Sequence, residues 1–341
     1  MRQDFWGVGA GRMVMMAGLA VGVCGGLALG QAAAGAGPGG VEAKAAAGSA
    51  AGTGDASPSG EDPLAVKATL DLFGSYSATA DFHNNRGSLS TARGGGRLGV
   101  RVPIEERRAV GFSFTGEYSN YDFSNASGFP GSAADGPWKD VTILTVEVNY
   151  VAPIKEKWSY FVGLSGDASY ERGADFDKSL TLSGAGGVAY QVSDDLRLGF
   201  GLAAGSRLED DPYVVPIVTV DWQIDEKWSL SSSPGFGSRT AGVELTYAVT
   251  EDLKVGLAAG FEDREFRLDR NGPIPSGVGR DYRLPVAVTA HWRVDPQVEL
   301  SLGVGANVWG QVRAENSNGD RITEEDLGPG FFVGGRASFR F

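Results

Sequence analysis

The sequence has few of the residues on which catalytic and metal sites usually depend. Its 341 residues include one cysteine, Cys24, and two histidines, His83 and His291. Cys24 lies in a segment that we expect to be removed, which would leave a mature chain without thiols, disulfides or thiolate metal sites. We therefore predict no cofactor and no metal site.

Basic charge is also in deficit. The chain has 30 Lys and Arg residues against 42 Asp and Glu residues, a net charge of −12. An acidic chain is a poor partner for the phosphate backbone, so we predict no binding to nucleic acid.

Helical periodicity is also absent, because no segment shows a convincing 3.6-residue apolar stripe. The pattern argues against a helical protein.

The N-terminal 62 residues differ in composition from the rest. Residues 1–30 predict a signal peptide, because Arg2 and Arg12 precede an apolar run from Met13 to Gly30. A membrane anchor is the alternative, but glycines interrupt the run and it is at the lower length limit. A lipoprotein would need a small residue before Cys24, but the residue there is Val23. Residues 31–62 are rich in Ala and Gly and predict a disordered linker.

Residues 63–341 alternate between apolar and polar positions at the two-residue period of β-strands. We expect 14 strands, within a range of about 12–16, since transmembrane strands of about 10 residues plus connections would fill this length. The strands are predicted near 64–81, 91–103, 108–121, 140–152, 158–171, 178–192, 196–208, 213–224, 227–234, 239–249, 253–267, 281–294, 298–314 and 330–341.

The connections alternate in length, as in an up-and-down barrel with periplasmic turns and external loops. The short, charged connections are 103–107, 154–157, 193–195, 225–227, 250–252 and 295–297. Those between them are generally longer, such as 122–139, 268–280 and 315–329. Glycine, with 52 residues, is about twice as frequent as usual, which fits bends in a β protein and a linker.

Aromatic residues fall near both ends of the apolar faces, which predicts two girdles at bilayer interfaces. Tyr282 and Trp292 share one face of their strand and are ten residues apart. This is about 33 Å along a strand, or about 25 Å with a tilt of about 40°. The alternative is a soluble sandwich or barrel, but its apolar face would point inward. The pattern favours an antiparallel transmembrane β-barrel.

The last eleven residues also alternate and finish on Phe341. Together with the leader and the strand train, this resembles Gram-negative outer-membrane β-barrel proteins. The region from Trp228 through Pro234 and Leu245-Thr246-Tyr247 onward is similar to bacterial barrel families of unassigned function. The resemblance implies that the barrel assembly machinery recognises Phe339 and Phe341. It also implies an outer-membrane location, with membrane lipid and lipopolysaccharide as partners.

Side-chain parity places several charged residues in the predicted lumen. Arg93, Arg97 and Arg101 form a ladder on the second strand, and Arg336 and Arg340 lie on the last. Barrel closure would bring these five onto one wall, with Glu117 and Glu147 on the next strands. The ladder predicts a pore wall that selects anionic solutes, or internal salt bridges that only satisfy a polar lumen. Lumen glycines such as Gly95, Gly99, Gly163, Gly199 and Gly201 would leave a water-filled interior.

Catalytic patterns are weak, so we predict that the chain is not an enzyme. His291 has lumen parity, whereas an outer-membrane phospholipase would need His and Ser at the lipid face. Asp81, His83, Asp210 and Asp211 could meet at a loop rim as in a protease. The run Gly184-Ala185-Gly186-Gly187 lies within a strand, which argues against phosphate binding.

Two acidic loop stretches, 209–211 and 324–326, could bind divalent cations or remain solvated. The sequence favours a passive channel for small solutes. A non-conducting structural or surface-interaction barrel is the alternative, and a hydrolase built from the rim loops is a third. A continuous polar lumen would favour the channel, and side chains crossing the lumen would favour the structural barrel.

Overall fold

A computed structural model describes residues 64–83, 87–105, 107–129, 136–233 and 239–341. The predicted signal peptide, 1–30, and linker, 31–62, lie outside the described residues. None of the described residues forms a helix long and apolar enough to cross a membrane.

The described chain is almost entirely β-structure. Its strands are β1 (Lys67–Asp81), β2 (Ser88–Glu105), β3 (Arg108–Ser124), β4 (Asp140–Lys155), β5 (Trp158–Glu171), β6 (Leu180–Ser193), β7 (Leu196–Gly205), β8 (Tyr213–Gln223), β9 (Trp228–Ser233), β10 (Thr240–Ala248), β11 (Leu253–Arg267), β12 (Val278–Asp295), β13 (Val298–Glu315), β14 (Arg321–Leu327) and β15 (Gly330–Arg340). A short 3₁₀ turn, Phe176–Ser179, precedes β6, so this strand starts two residues later than predicted.

The strands close into a ring. Each strand from β1 to β12 pairs with the next, β13 pairs with β15, and β15 pairs with β1, always antiparallel. These pairings make a closed 14-stranded barrel, which confirms the predicted fold class and strand number. The loop predicted at 315–329 is wrong in part, because it contains β14, which pairs with β13 and stands outside the ring. The charged sequence of this segment does not indicate a strand, yet Glu324 of β14 lies in register with Arg313 of β13.

The outer surface carries the apolar side of the alternation. Large apolar side chains face outward around the ring, for example Val214, 68% exposed, and Phe331, 77% exposed. Trp158 and Trp228 lie at the end with the short turns, the predicted periplasmic end, in contact with Tyr190 and Tyr247, with ring centroids 4.6 and 4.9 Å apart. Water would oppose so much exposed apolar surface, whereas lipid accepts it. The protein is a barrel of the bacterial outer membrane.

The wall narrows at its outer end. Arg267 at the end of β11 forms a parallel bridge with Tyr170 at the end of β5. Five strands, β6 to β10, stand between these two in the ring. At the height of the bridge β5 and β11 are neighbours, so β6 to β10 end below it. The outer mouth is therefore narrower than the ring beneath.

A cluster of buried apolar side chains fills this outer mouth, and we call it the outer core. Trp138 packs edge-on against Phe123 and Phe266, with centroids 5.3 and 5.4 Å apart, and so joins strands from different sides of the mouth. Its members are Phe82, Leu89, Tyr121, Phe123, Ala126, Phe129, Trp138, Val141, Ile143, Phe266, Leu268, Ile274, Val312, Ala314 and Leu327. Each large side chain buried here contributes about 1.5–3 kcal/mol of stability.

Candidate functional site in the barrel lumen

Six charged side chains lie directly on the periplasmic side of the outer core, and we call them the charged layer. They are Arg93, Glu117, Glu262, Arg264, Asp281 and Arg283. Arg264 is two residues before Phe266 of the outer core, and the Arg93 guanidinium lies 5.9 Å from the Tyr121 ring centre. Three positive and three negative groups make the layer neutral when all are ionised.

The charged layer spans the lumen. Glu117 on β3 and Arg264 on β11 are six steps apart around the 14-stranded ring, yet Nη2 of Arg264 lies 3.1 Å from Oε1 of Glu117. Both side chains have no solvent exposure. Arg93 on β2 reaches Asp281 on β12 at 2.6 Å and Glu262 on β11 at 3.1 Å. Such buried pairs persist because each charge would be costly to leave alone.

The predicted arginine ladder does not present bare charges to the lumen at its outer end. Arg93 belongs to the charged layer, and Arg97 donates to Oε2 of Glu147 at 2.9 Å and to the Ser113 hydroxyl. Arg101 lies in register with Lys67 near the periplasmic end. Arg93 and Arg97 thus form internal salt bridges, which was one of the two alternatives for the ladder, the other being a pore wall that selects anions.

The two arginines of the last strand lie where barrel closure predicts them. β15 stands beside β1, which stands beside β2, and Arg336 lies in register with Phe73. Arg340 forms an ion pair with Glu299 at 3.4 Å. Phe339 lies in register with Leu70 and Val298. Phe341 is 72% exposed, and its backbone exchanges two hydrogen bonds with Ala68.

The lumen glycines do not all leave open space. A side chain at Gly95 would meet the Phe73 ring, which lies 2.8 Å from the place of its Cβ. Gly187 and Gly201 are covered in the same way by Phe161. The expectation of water-filled space at Gly95 and Gly201 is therefore wrong, because an aromatic ring from a neighbouring strand occupies the space that glycine provides.

Near the periplasmic mouth the structure forms a polar row that the sequence reading missed. Lys254, His291, Ser301 and Arg336 are register partners across β11, β12, β13 and β15, and we call them the lower row. His291 Nδ1 lies 2.9 Å from the Ser301 hydroxyl and Nε2 lies 2.8 Å from Oε1 of Glu244. Counting from the short turn could have found the first contact, since His291 and Ser301 are each five residues from Pro296.

At the outer rim, arginines form ion pairs with the acidic loop stretch 209–211. Glu209 pairs with Arg267 at 2.7 Å, and Asp210 pairs with Arg280 at 3.0 Å. Burial acts to raise the pKa of Asp210, but the Asp211 amide and the charges of Arg280 and Arg207 outweigh it and hold the pKa below its usual value. Among the described residues no group of His, Cys, Asp and Glu is arranged to hold a metal ion.

The proposed rim protease constellation is not assembled. His83 Nδ1 lies 3.3 Å from the backbone carbonyl of Asp326, and Asp210 is held by Arg280. The Gly184–Gly187 run lies inside β6, as predicted.

Residues 75–333 match the family described as Domain of unknown function (DUF6268). The chain belongs to this family. None of the curated proteins compared with it matches. Among solved structures, it is similar to the COG4313 outer membrane channel from Pseudomonas putida F1, with 12% identity over 84% of this chain and 100% of the other, at a TM-score of 0.44.

Two further barrels are similar. The Pseudomonas putida toluene transporter TodX shares 8% identity over 83% of this chain and 90% of its own, at a TM-score of 0.43. A Pseudomonas aeruginosa FadL homologue shares 12% identity over 80% of this chain and 89% of its own, at a TM-score of 0.40.

Proposed function

We infer that the protein is a passive channel for small solutes whose outer mouth is closed in this conformation. The polar lining of the barrel supports the proposal. Ser113, Thr115, Thr145, Ser165 and Thr289 all have lumen parity and lie below the charged layer. A barrel that served only as a scaffold could fill this region with apolar side chains, which pack without the need for hydrogen-bond partners.

The charged layer and the outer core together make the closure. Passage through the outer mouth requires that the Glu117–Arg264 contact separate and that the aromatic rings move aside. Each ion in a broken buried pair must regain water or another partner, which is costly in a dry site. We therefore expect rare openings and a small mean conductance, in contrast to an open porin.

The charged layer, whose side chains cross the lumen, and the outer core also favour a second candidate, a non-conducting structural or surface-interaction barrel. The rings of the outer core are packed as in the interior of a soluble domain, and such packing stabilises a closed wall as well as a closed mouth. Conduction separates the two candidates.

The test is planar-bilayer conductance of the refolded protein and of Phe123→Ala. Removing this ring from the outer core leaves a cavity at the mouth and should raise the open probability. Phe112→Ala is the matched control, because Phe112 lies on the same strand but faces outward and is 52% exposed. The channel is supported if the wild type opens and if openings are more frequent in Phe123→Ala but not in Phe112→Ala. Silence of both folded proteins would favour the structural barrel.

The arginine ladder can be tested in the same membranes. Arg97→Ser with Arg101→Ser should move the reversal potential towards cations, and the shift should shrink as salt rises, because charges are screened within about 8–10 Å at ordinary salt. Openings of unchanged selectivity would show that these arginines only balance internal carboxylates.

A further inference from the structure

Two residues of the lower row, Ser301 and His291, form a hydrogen-bonded series with the carboxylate of Glu244 on β10. The Ser301 hydroxyl is 2.9 Å from His291 Nδ1, and His291 Nε2 is 2.8 Å from Oε1 of Glu244. In the tautomer with the proton on Nε2, His291 donates to the Glu244 carboxylate, and Nδ1 can accept the serine proton. The Thr289 hydroxyl also donates to Oε1 of Glu244 and holds this carboxylate in place.

A hydroxyl, an imidazole and a carboxylate in this order are the arrangement that activates a serine nucleophile. The imidazole removes the hydroxyl proton as the oxygen attacks, and the carboxylate orients the imidazole and stabilises its charged form. The same contacts could serve only to satisfy polar groups in the lumen. Two further features of the site favour a chemical role.

The first feature is positive charge beside Ser301. Arg336 is its direct register partner on β15, and Lys254 is the register partner of His291 on β11. Negative charge that develops on an oxygen bound next to Ser301 would therefore lie near a guanidinium. Fixed cations at the place where charge develops are a large source of transition-state stabilisation.

The second feature is access. The His291 side chain is 12% exposed and stands four residues before Asp295 at the periplasmic end of β12. The site thus lies close to the periplasmic mouth, on the periplasmic side of the charged layer.

We propose that Ser301 is a nucleophile and that the lower row is an acyl-transfer site for small carboxylic esters that enter from the periplasm. The Ser301 oxygen bonds to the ester carbonyl carbon as His291 Nδ1 takes the hydroxyl proton. The carbon–oxygen bond to the leaving group then breaks, and His291 returns the proton to it, so an alcohol departs. Water attacks the acyl-serine by the same route and releases the carboxylic acid.

The experiment uses the folded barrel in detergent and a fluorophosphonate probe, which phosphonylates activated serines. Mass spectrometry of the labelled peptide identifies the modified residue. We expect labelling at Ser301, loss of labelling in Ser301→Ala, and labelling at least about a hundredfold slower in His291→Gln, because general-base assistance is worth about 10²–10⁴-fold. Hydrolysis of p-nitrophenyl acetate should change in parallel.

Ser338→Ala is the matched control. Ser338 also faces the lumen from β15, but its hydroxyl donates to Asp71 and not to an imidazole. Its loss should leave both labelling and hydrolysis unchanged, and heat-modifiable migration reports that each variant is folded. A folded wild type that is not labelled, or that is labelled equally in Ser301→Ala, would overturn the proposal. Neither result depends on whether the barrel conducts.

Discussion

At the scale of single residues, the Glu117–Arg264 pair carries the closure of the lumen. Both side chains are fully buried, so neither can exchange its partner for water. Arg264 is held a second time by Glu262 at 2.6 Å, which in turn contacts Arg93. A change at one member is therefore transmitted to a connected set of charges rather than to a single pair.

We predict that Glu117→Gln lowers the free energy of unfolding by about 3–5 kcal/mol, because it leaves the Arg264 charge buried without its full set of partners. Glu117→Gln combined with Arg264→Met should recover most of this loss, since a buried pair is often replaceable by apolar groups. Urea unfolding in lipid vesicles, followed by tryptophan fluorescence, measures both.

Glu105→Gln is the control for this series. Its partner Arg108 is at 3.2 Å, but the two side chains are 62% and 46% exposed. An exposed pair of this kind is worth about 0–1 kcal/mol. A loss in Glu117→Gln as small as that in Glu105→Gln would contradict the importance assigned to the buried pair.

At the scale of elements, the last strand closes the ring. The backbone of Phe341 hydrogen-bonds to Ala68 in both directions, at 2.9 and 3.0 Å, while its ring points away from the lumen. The ring thus makes no described interior contact, and we propose that it is recognised during assembly.

Deletion of Phe341, or Phe341→Asp, should lower the amount of assembled barrel and leave secretion intact. The comparison is the ratio of folded to unfolded protein in outer-membrane and periplasmic fractions. Phe331→Asp, at the opposite end of the same strand face, controls for the loss of one lipid-facing ring. Unchanged assembly after the Phe341 changes would mean that this residue is not a recognition element.

The connection between β7 and β8 is a second element with a defined role, because it packs on β11 and β12. Arg207 contacts Glu265 at 3.2 Å, and Asp210 contacts Arg280. The pKa of Asp210 is lowered in the folded protein. Its contribution to stability is therefore present above the unfolded-state pKa and is lost as the pH falls through the lowered value.

Asp210→Asn imitates the protonated state at neutral pH. Since the carboxylate is 41% exposed, we expect a modest loss of about 0.5–1 kcal/mol. Trypsin should then cleave after Arg207 about two- to fivefold faster, because cleavage follows the open population. Asp211→Asn should leave the rate unchanged, since among the described residues its carboxylate forms no ion pair. Equal rates in all three proteins would show that the loop is held by other contacts.

At the scale of the whole molecule, the ring and its apolar surface place the protein in lipid. We predict that the native protein is recovered in the outer-membrane fraction and migrates faster in unheated than in heated gel samples. The physical reason is that every strand of the closed ring is paired on both sides, so the barrel wall has no open edge from which detergent unfolding can begin. Recovery as a soluble periplasmic protein without detergent would contradict this.

The sequence alone determined which face of each strand meets lipid. Alternation is a local property with a period of two, so Tyr282, Trp292 and Phe331 could be assigned to the apolar face without knowledge of the neighbouring strands. The alternation of short and long connections predicted an up-and-down order, in which consecutive strands are neighbours. β14 escaped detection because its length and charge resemble a loop.

Only the tertiary structure decided what happens inside the ring. Glu117 and Arg264 are 147 residues apart in the chain and meet because the wall curves back on itself. Alternation specifies that both point inward, but not how far apart they stand or which charge each one finds. The outer core has the same origin. Tyr121 and Phe123 occupy lumen-facing positions beyond the polar ones of β3, and only the approach of β11 to β5 brings Phe266 against Tyr121.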